Sequence, residues 1–246
     1  MDFNDKVAIV TGGNRGIGKA ISLALSKKGV AVAVNYATDA DSADSVVNEI
    51  LKDKGKAIKI GADVSRTDQV EEMFQKVLDQ FGKVDILVNN AGIMGKINLL
   101  EISEAEWDRV LAVNLKGVFN CCQRAIKLFL EQKCGKIVNI SSIAGKMGGA
   151  SGVHYAASKS GVIGLTMALA TEFSRKNIWV NAICPGPIRT EMYESLPKEK
   201  QEMFANSTLV GRVGEPREMA HAVIFLLEND FINGEILNAS AGRYIG

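Results

Sequence analysis

Apolar positions along this chain fall into two alternating patterns. Short runs such as Val7-Ala8-Ile9-Val10 are apolar at every position and break off in threonine, asparagine or glycine. Runs of this kind read as strands buried on both faces. Longer stretches between them repeat apolar residues three and four apart, the period of an amphipathic helix. The pattern predicts strands over 7–11, 31–35, 57–61, 86–89, 136–140, 179–184 and 235–238. It predicts helices over 16–28, 41–54, 67–81, 104–132, 155–176 and 216–227, with Asn114 marking a bend in the long fourth one. Strand and helix in regular alternation imply a parallel sheet with helices on both faces. Right-handed crossovers then make it doubly wound, a single-domain Rossmann-type α/β fold of about seven strands spanning 1–246. A ligand is expected outside the carboxyl ends of the strands, where the strand order reverses.

Composition narrows the function classes. The 246 residues carry 29 Lys+Arg against 28 Asp+Glu, with no basic block, so nucleic acid is not an expected partner. The N-terminal residues lack a charged-then-apolar leader, and no apolar run approaches the roughly 20 residues that cross a bilayer. A soluble cytoplasmic protein without a membrane partner is the expectation. Cys121, Cys122, Cys134 and Cys184 have no metal-ligand spacing and read as buried thiols in a reducing compartment. With only His154 and His221, no metal site is expected.

Two motifs carry chemistry. After the first strand comes Thr11-Gly12-Gly13-Asn14-Arg15-Gly16-Ile17-Gly18, then a helical pattern. Strand, glycine-rich turn and helix form a dinucleotide-binding unit. Gly12 permits the turn, Gly16 lets the backbone approach a diphosphate, and Gly18 lets helix and strand pack closely. The diphosphate would sit on the free N–H groups at the helix start. The spacing is one residue longer than the common Gly-x-Gly-x-x-Gly. The second motif is Tyr155-Ala156-Ala157-Ser158-Lys159. It puts a phenol and an amine on one helix face. A lysine cation there is expected to lower the phenol's pKa and make it a proton donor and acceptor near neutral pH.

These motifs together resemble the short-chain dehydrogenase/reductase family along nearly the whole chain. Residues 11–18 are similar to its cofactor loop, Asn89-Asn90-Ala91-Gly92 to its fourth-strand motif, and Pro185-Gly186 to its turn after the sixth strand. Asn114, Ser142, Tyr155 and Lys159 fall where its catalytic tetrad falls. The resemblance implies transfer of hydride between a nicotinamide cofactor and a carbonyl carbon. Tyr155 would give its proton to the oxygen, Ser142 would donate a hydrogen bond to it, Lys159 would bond the nicotinamide ribose, and Asn114 would hold a water linking Lys159 to solvent. Ser141 is expected to cap or pack. Cofactor contacts are implied for Gly12, Asn14, Arg15, Gly16, Ile17, Gly18, Asn35, Tyr36, Thr38, Asp63, Val64, Asn90, Ala91, Gly92, Tyr155, Lys159, Pro185, Gly186, Ile188 and Thr190. Asp63 would accept from the adenine amine or cap the next helix, Val64 would pack on the ring, and Thr190 would bond the carboxamide. Asn90 is expected chiefly to satisfy backbone groups.

The second strand ends without a carboxylate to grip a ribose 2′-hydroxyl. Arg15, with Asn35 and Thr38, favours a 2′-phosphate, hence NADP(H) over NAD(H). Within the family the nearest likeness is to reductases of 3-oxoacyl thioesters on acyl carrier protein. Secondary-alcohol, sugar and steroid dehydrogenases are the alternative, because the C-terminal Asn233-Gly234 turn and the ending departs from the reductase pattern. A non-catalytic cofactor-sensing protein is the reading from another class. Met94, Met147, His154, Met192 and Tyr193 are expected to border the substrate pocket, whose mouth the glycines of 148–152 leave open. Lys133, Lys136, Arg175 and Lys176 are candidates for docking an acidic carrier. Residues 187–209 read as a substrate lid or an ordinary amphipathic helix. The long helices imply a homo-oligomer, most simply a homotetramer.

Overall fold

The computed structural model describes residues 2–95, 98–149 and 151–246, and all but the side chain of Met192 among them. Seven strands form one sheet: β1 (Val7–Val10), β2 (Ala31–Tyr36), β3 (Ala57–Gly61), β4 (Ile86–Asn89), β5 (Gly135–Ile140), β6 (Ile178–Pro185) and β7 (Ile236–Ala239). Their order is β3-β2-β1-β4-β5-β6-β7, and every pairing is parallel. Ala8 faces Val32 on one side and Ile86 on the other. The order therefore reverses between β1 and β4, and the turns after those two strands open a crevice at one edge of the sheet.

The first helices are α1 (Gly16–Lys27), α2 (Ala40–Lys52), α3 (Thr67–Phe81), α4 (Glu104–Leu111) and α5 (Gly117–Gln132). They are followed by α6 (Ala144–Met147), α7 (Val153–Phe173), α8 (Glu191–Glu194), α9 (Lys198–Asn206) and α10 (Pro216–Glu228). Two apolar layers flank the sheet. One joins Ile21, Leu25, Val46, Ile50, Val223 and Leu227 to one face, and the other joins Phe74, Val77, Phe129 and Val162 to the opposite face. Burial on both sides explains why β1 is apolar at every position, as a parallel sheet requires.

The structure departs from the predicted elements in instructive places. The helix expected over 104–132 divides at a π-helical turn, Ala112–Lys116, which holds Asn114 at the expected bend. Such turns widen the backbone and aim side chains inward. β6 runs on to Pro185, where a missing N–H is harmless at a strand end, and the Pro185 carbonyl accepts from the Ile143 N–H (3.1 Å). α7 starts at Val153, ahead of the predicted Tyr155, and its last turn tightens to a 3₁₀ turn over Ser174–Lys176. The short α6 has no counterpart in the predicted pattern, and the segment 187–209, read as a lid or one amphipathic helix, forms two short helices, α8 and α9.

Candidate active site

The glycine-rich turn is built by steric necessity. Gly12 and Gly16 take φ of 57° and 51°, where a side chain is strained. A Cβ on Gly18 would overlap the Gly12 carbonyl oxygen, so only glycine lets α1 pack this close. Arg15 is the extended residue before α1 and has no side-chain cap bond, and the first turn holds no acidic residue. Free N–H groups and the positive end of the helix dipole suit a diphosphate there. Ile17 packs partly into the core, and Thr190 and Glu191 at the start of α8 lie over Gly16.

Neighbouring strand ends brace this turn. Asn90 Nδ2 donates to the carbonyls of Thr11 (3.0 Å) and Gly12 (2.9 Å). The N–H groups of Asn90 and Ala91 donate to Thr11 Oγ1 at 2.9 and 3.0 Å. Thr11 is thus a hub that its place in the motif did not announce. Asn35 is corrected by its surroundings. It is 2 % exposed, accepts from the Gly12 N–H (3.2 Å), and donates to the carbonyls of Tyr36, Ile60 and Ala62. It ties the glycine turn to β2 and β3 and has no capacity left for a 2′-phosphate. Tyr36 lies across Gly61, while Arg15 and Thr38 stand exposed at the rim. Buried Asn14 donates to the Asp39 carbonyl (3.5 Å), and Asp39 caps α2 through Ser42. The two Ser42 bonds hold the Asp39 carboxyl below its usual range, with Arg15 adding a smaller pull.

After β3, Asp63 accepts from the Ser65 N–H (2.9 Å), so it forms a local turn and does not cap α3, whose flanking residue is Arg66. Val64 is buried with its side chain against Gly117 of α5, which leaves it little face for an adenine ring. Ile188 likewise turns into the core beneath Gly214. Gly186 at the end of β6 packs on the Ser240 backbone, where a Cβ would meet Ser240 Cα at 2.9 Å.

The tetrad candidates converge between β4, β5 and α7. Asn114 Oδ1 accepts from the Ile93 N–H (2.8 Å), and its Nδ2 donates to the Ile93 carbonyl (2.9 Å) and Ser158 Oγ (3.2 Å). Ser158 donates in turn to the Tyr155 carbonyl (2.7 Å). Asn114 is therefore engaged by the chain itself, as a brace between the loop after β4 and α7. Asn114 Oδ1 and Lys159 Nζ flank Gly92, each 3.4 Å from where a Cβ would lie. Lys159 Nζ donates to the Ile140 carbonyl (2.9 Å) and lies 5.7 Å from the centre of the Tyr155 ring. Ser142 Oγ accepts from the Ala144 N–H (3.1 Å), and Ser141 Oγ donates to the Lys159 carbonyl (2.8 Å).

The electrostatics correct one expectation. Burial pushes the Tyr155 phenol up, and the hydrogen bond with Ser142 opposes it. Burial outweighs any pull of Lys159 on the phenol. Burial instead pulls the Lys159 amine down to about 8. The phenol is thus held protonated at neutral pH, and the amine titrates close to it.

Other expected positions fall elsewhere. Met147 is exposed, Met94 is half-buried, and Tyr193 is buried, its hydroxyl donating to the Gln201 carbonyl (3.0 Å). His154 is wholly buried with its ring toward Glu106. Met192's side chain and Ala150 lie outside the described residues, while Gly148 and Gly149 face open space. Lys136 is 2 % exposed, donates to the Leu227 carbonyl (2.6 Å), pairs with Asp230 and sits 5.2 Å from the Trp179 ring centre. It closes the end of α10 and docks nothing. Lys133, Arg175 and Lys176 are exposed just before β5 and β6, at the sheet edge opposite this crevice. Cys121, Cys122 and Cys184 are buried, but Cys134 is exposed, contrary to expectation.

A glycine turn at the switch point and four polar side chains converging beside it define a recognisable class, and comparison decides which. Residues 6–201 match the short chain dehydrogenase family. The chain belongs to that family. It is an oxidoreductase acting between a hydroxyl-bearing carbon and a ketone. It is 42 % identical to a 3-oxoacyl-(acyl-carrier-protein) reductase of Staphylococcus epidermidis over 98 % of this chain and 100 % of the relative. A 3-oxoacyl-(acyl-carrier-protein) reductase of Synechocystis sp. is 42 % identical over 96 % of each chain. The reductase of that name from Thermotoga maritima is 38 % identical over the full length of both. No helix among the described residues is long and apolar enough to cross a membrane.

Proposed function

We propose that this protein is an NADP(H)-dependent reductase of 3-oxoacyl thioesters carried on acyl carrier protein, working in the cytoplasm. The observation that carries the reading is the convergence of Ser142, Tyr155 and Lys159 beside the glycine turn, in a chain alike over its full length to reductases of that name. The dehydrogenase alternatives share this site, and no contact favours them.

A bound reduced nicotinamide supplies hydride to the carbonyl carbon. The chain's own residues manage the oxygen. Negative charge grows there as the carbon is reduced, and fixed donors must meet it. Tyr155 carries the proton that the oxygen takes up, and burial keeps it in place until then. Ser142 donates a hydrogen bond to the same oxygen. Lys159, buried on the same helix face, stabilises the phenolate that Tyr155 becomes. Asn114 holds the Ile93 loop and, through Ser158, the first turn of α7, so the tetrad is fixed before substrate arrives.

For the cofactor, Gly12, Gly16, Gly18 and the uncapped start of α1 form the diphosphate seat. Arg15 and Thr38 at the exposed rim favour a 2′-phosphate, and no carboxylate ends β2. Ala91 packs against Gly12, Thr190 against Gly16, and Gly92 against Asn114 and Lys159, so these residues, with Pro185 and Gly186, would carry the cofactor from that seat to the tetrad.

The 187–209 segment serves as a lid over a single 1–246 domain. It is tied down at its end, where the Leu209 N–H donates to the Ala241 carbonyl (2.9 Å) and Arg243 lies 5.2 Å from the Phe204 ring.

The protein assembles as a homotetramer. Val153, Ala157, Ser160, Gly164 and Met167 run exposed and uncharged along α7, and Phe119 is 45 % exposed on α5. The uncharged face of α7 suits burial against another copy.

The test is oxidation of NADPH and NADH against an acetoacetyl thioester and a panel of cyclic, steroid and small aliphatic ketones. Faster NADPH-linked reduction of the thioester is expected. Activity confined to the other ketones, or a clear preference for NADH, would overturn the substrate or cofactor assignment respectively.

A further inference from the structure

The Tyr155 phenol can meet a substrate oxygen only if the first turn of α7 is held still. That turn begins at Gly152, which has φ of 86° and no side chain to cap the helix. The first intrahelical bond runs from the Ala156 N–H to the Gly152 carbonyl (3.1 Å). The Tyr155 N–H is thus one of the groups that every helix start leaves without an intrahelical partner. His154 supplies the partner: the Tyr155 N–H donates to His154 Nδ1 at 2.9 Å.

This use of Nδ1 fixes the tautomer. A neutral imidazole that accepts at Nδ1 carries its proton on Nε2. His154 is 0 % exposed, and among the described residues its Nε2 has no hydrogen-bond partner. The Nε2 faces Glu106 Oε1 of α4 across 3.9 Å. Gly95 fits beside the pair, since a Cβ there would collide with both Glu106 Oε1 and His154 Nε2. A buried polar atom without a close partner is costly, so its presence asks for a reason. The bond from Tyr155 to the other nitrogen of the ring is that reason.

We propose that His154 is a positioning residue for Tyr155, holding the tyrosine's main chain through Nδ1 and steadying the start of α7 against Glu106 on α4. It touches neither substrate nor cofactor and acts through the tyrosine. The proposal rests on the reading of Tyr155 as the proton donor. Glu106 itself lies 4.0 Å from Arg109, so its charge is shared along α4 and the Nδ1 bond carries the larger part of the effect.

Three substitutions separate the two nitrogens. Asn Oδ1 reaches about where Nδ1 lies, so His154→Asn keeps the acceptor for the Tyr155 N–H. His154→Gln reaches toward Nε2 and lacks that acceptor, and His154→Leu lacks both. In the NADPH-linked assay, His154→Leu and His154→Gln should lower kcat by about tenfold or more, with KM and cofactor affinity within about twofold, as expected for loss of reactive geometry. His154→Asn should stay within about threefold of the natural enzyme. A folded His154→Leu protein with natural kcat would overturn the proposal, as would equal losses in all three variants or a loss that falls on KM alone. If His154→Leu does not fold, the Asn and Gln pair decides by the same criterion. Tyr155→Phe run alongside keeps the two levels apart. An active Tyr155→Phe enzyme removes the proton-donor reading, whereas an inactive one beside fully active His154 variants removes only the role of His154.

Discussion

At the scale of single residues, the site works through burial more than through attraction between neighbours. Spacing alone suggested that Lys159 lowers the Tyr155 phenol, because two side chains four apart on a helix are close. Depth in the fold, which spacing does not reveal, reverses the emphasis: burial raises the phenol and brings the amine down to about 8. The consequence is a pH dependence. Below about 8 Lys159 is charged and stabilises the phenolate left when Tyr155 gives up its proton. Above that, the charge is lost, and reduction should slow as pH rises. Lys159→Met should be slow throughout and lack this limb. A natural enzyme whose kcat is flat from about pH 7 to about pH 10 would contradict the assignment. Asn35 and Lys136 teach the same lesson. Their partners, the Gly12 N–H and Ile60 carbonyl for one and Asp230 and Trp179 for the other, are remote in sequence. A polar residue within an apolar run announces that it needs a partner, but not which one.

At the scale of elements, the strands were legible because a parallel sheet leaves no solvent face, so β1 is apolar throughout and the other central strands are interrupted by only one or two polar residues. The edge strands β3 and β7 are less buried, yet their length and flanking turns sufficed. The 187–209 segment was legible only as a lid or a single amphipathic helix, not as the separate α8 and α9: α9 buries no residue, and Lys198-Glu199-Lys200-Gln201-Glu202 offers no apolar period to read. At the other end of that segment, α10 is started by a capping box between Glu215 and Glu218, with Pro216 in the first turn. Arg212 grips Glu218 with both nitrogens, at 2.8 and 2.7 Å. The Arg212 hydrogen bond is the main reason the Glu218 carboxyl falls from 4.5 to about 2. A carboxyl lowered by folding adds stability that is present above its unfolded pKa and lost as pH falls through its folded one. Because the pair is partly solvated, Glu218→Ala should cost only about 1 kcal/mol near neutral pH. The gap between natural and variant proteins in urea midpoint should close as pH falls from 4.5 toward about 2. A gap independent of pH would mean that the arginine fork adds nothing.

At the scale of the whole molecule, the strand order reverses between β1 and β4, and the glycine turn after β1 and the tetrad positions lie at the carboxyl ends of the strands. Topology explains why motifs far apart in sequence could be assigned to one site before any contact was known. It also explains the failure of the docking candidates, since loops before β5 and β6 must emerge at the opposite edge. The uncharged outer face of α7 belongs to this scale too. Met167 is 48 % exposed on a helix whose outer stripe has no charge before Glu172. Light scattering from the purified protein should give four chain masses. Met167→Asp should shift it to a smaller species, and a natural protein that is monomeric at micromolar concentration would contradict the assembly.

The central claim is that Tyr155 delivers the proton in NADP(H)-linked ketone reduction. The measurement that reaches it most directly is turnover of an acetoacetyl thioester by the natural enzyme and by Tyr155→Phe, with NADPH binding followed in parallel by fluorescence. The account predicts a loss of about a hundredfold or more in kcat with cofactor affinity unchanged within about threefold. Tyr155→Phe turning over at the natural rate would contradict it.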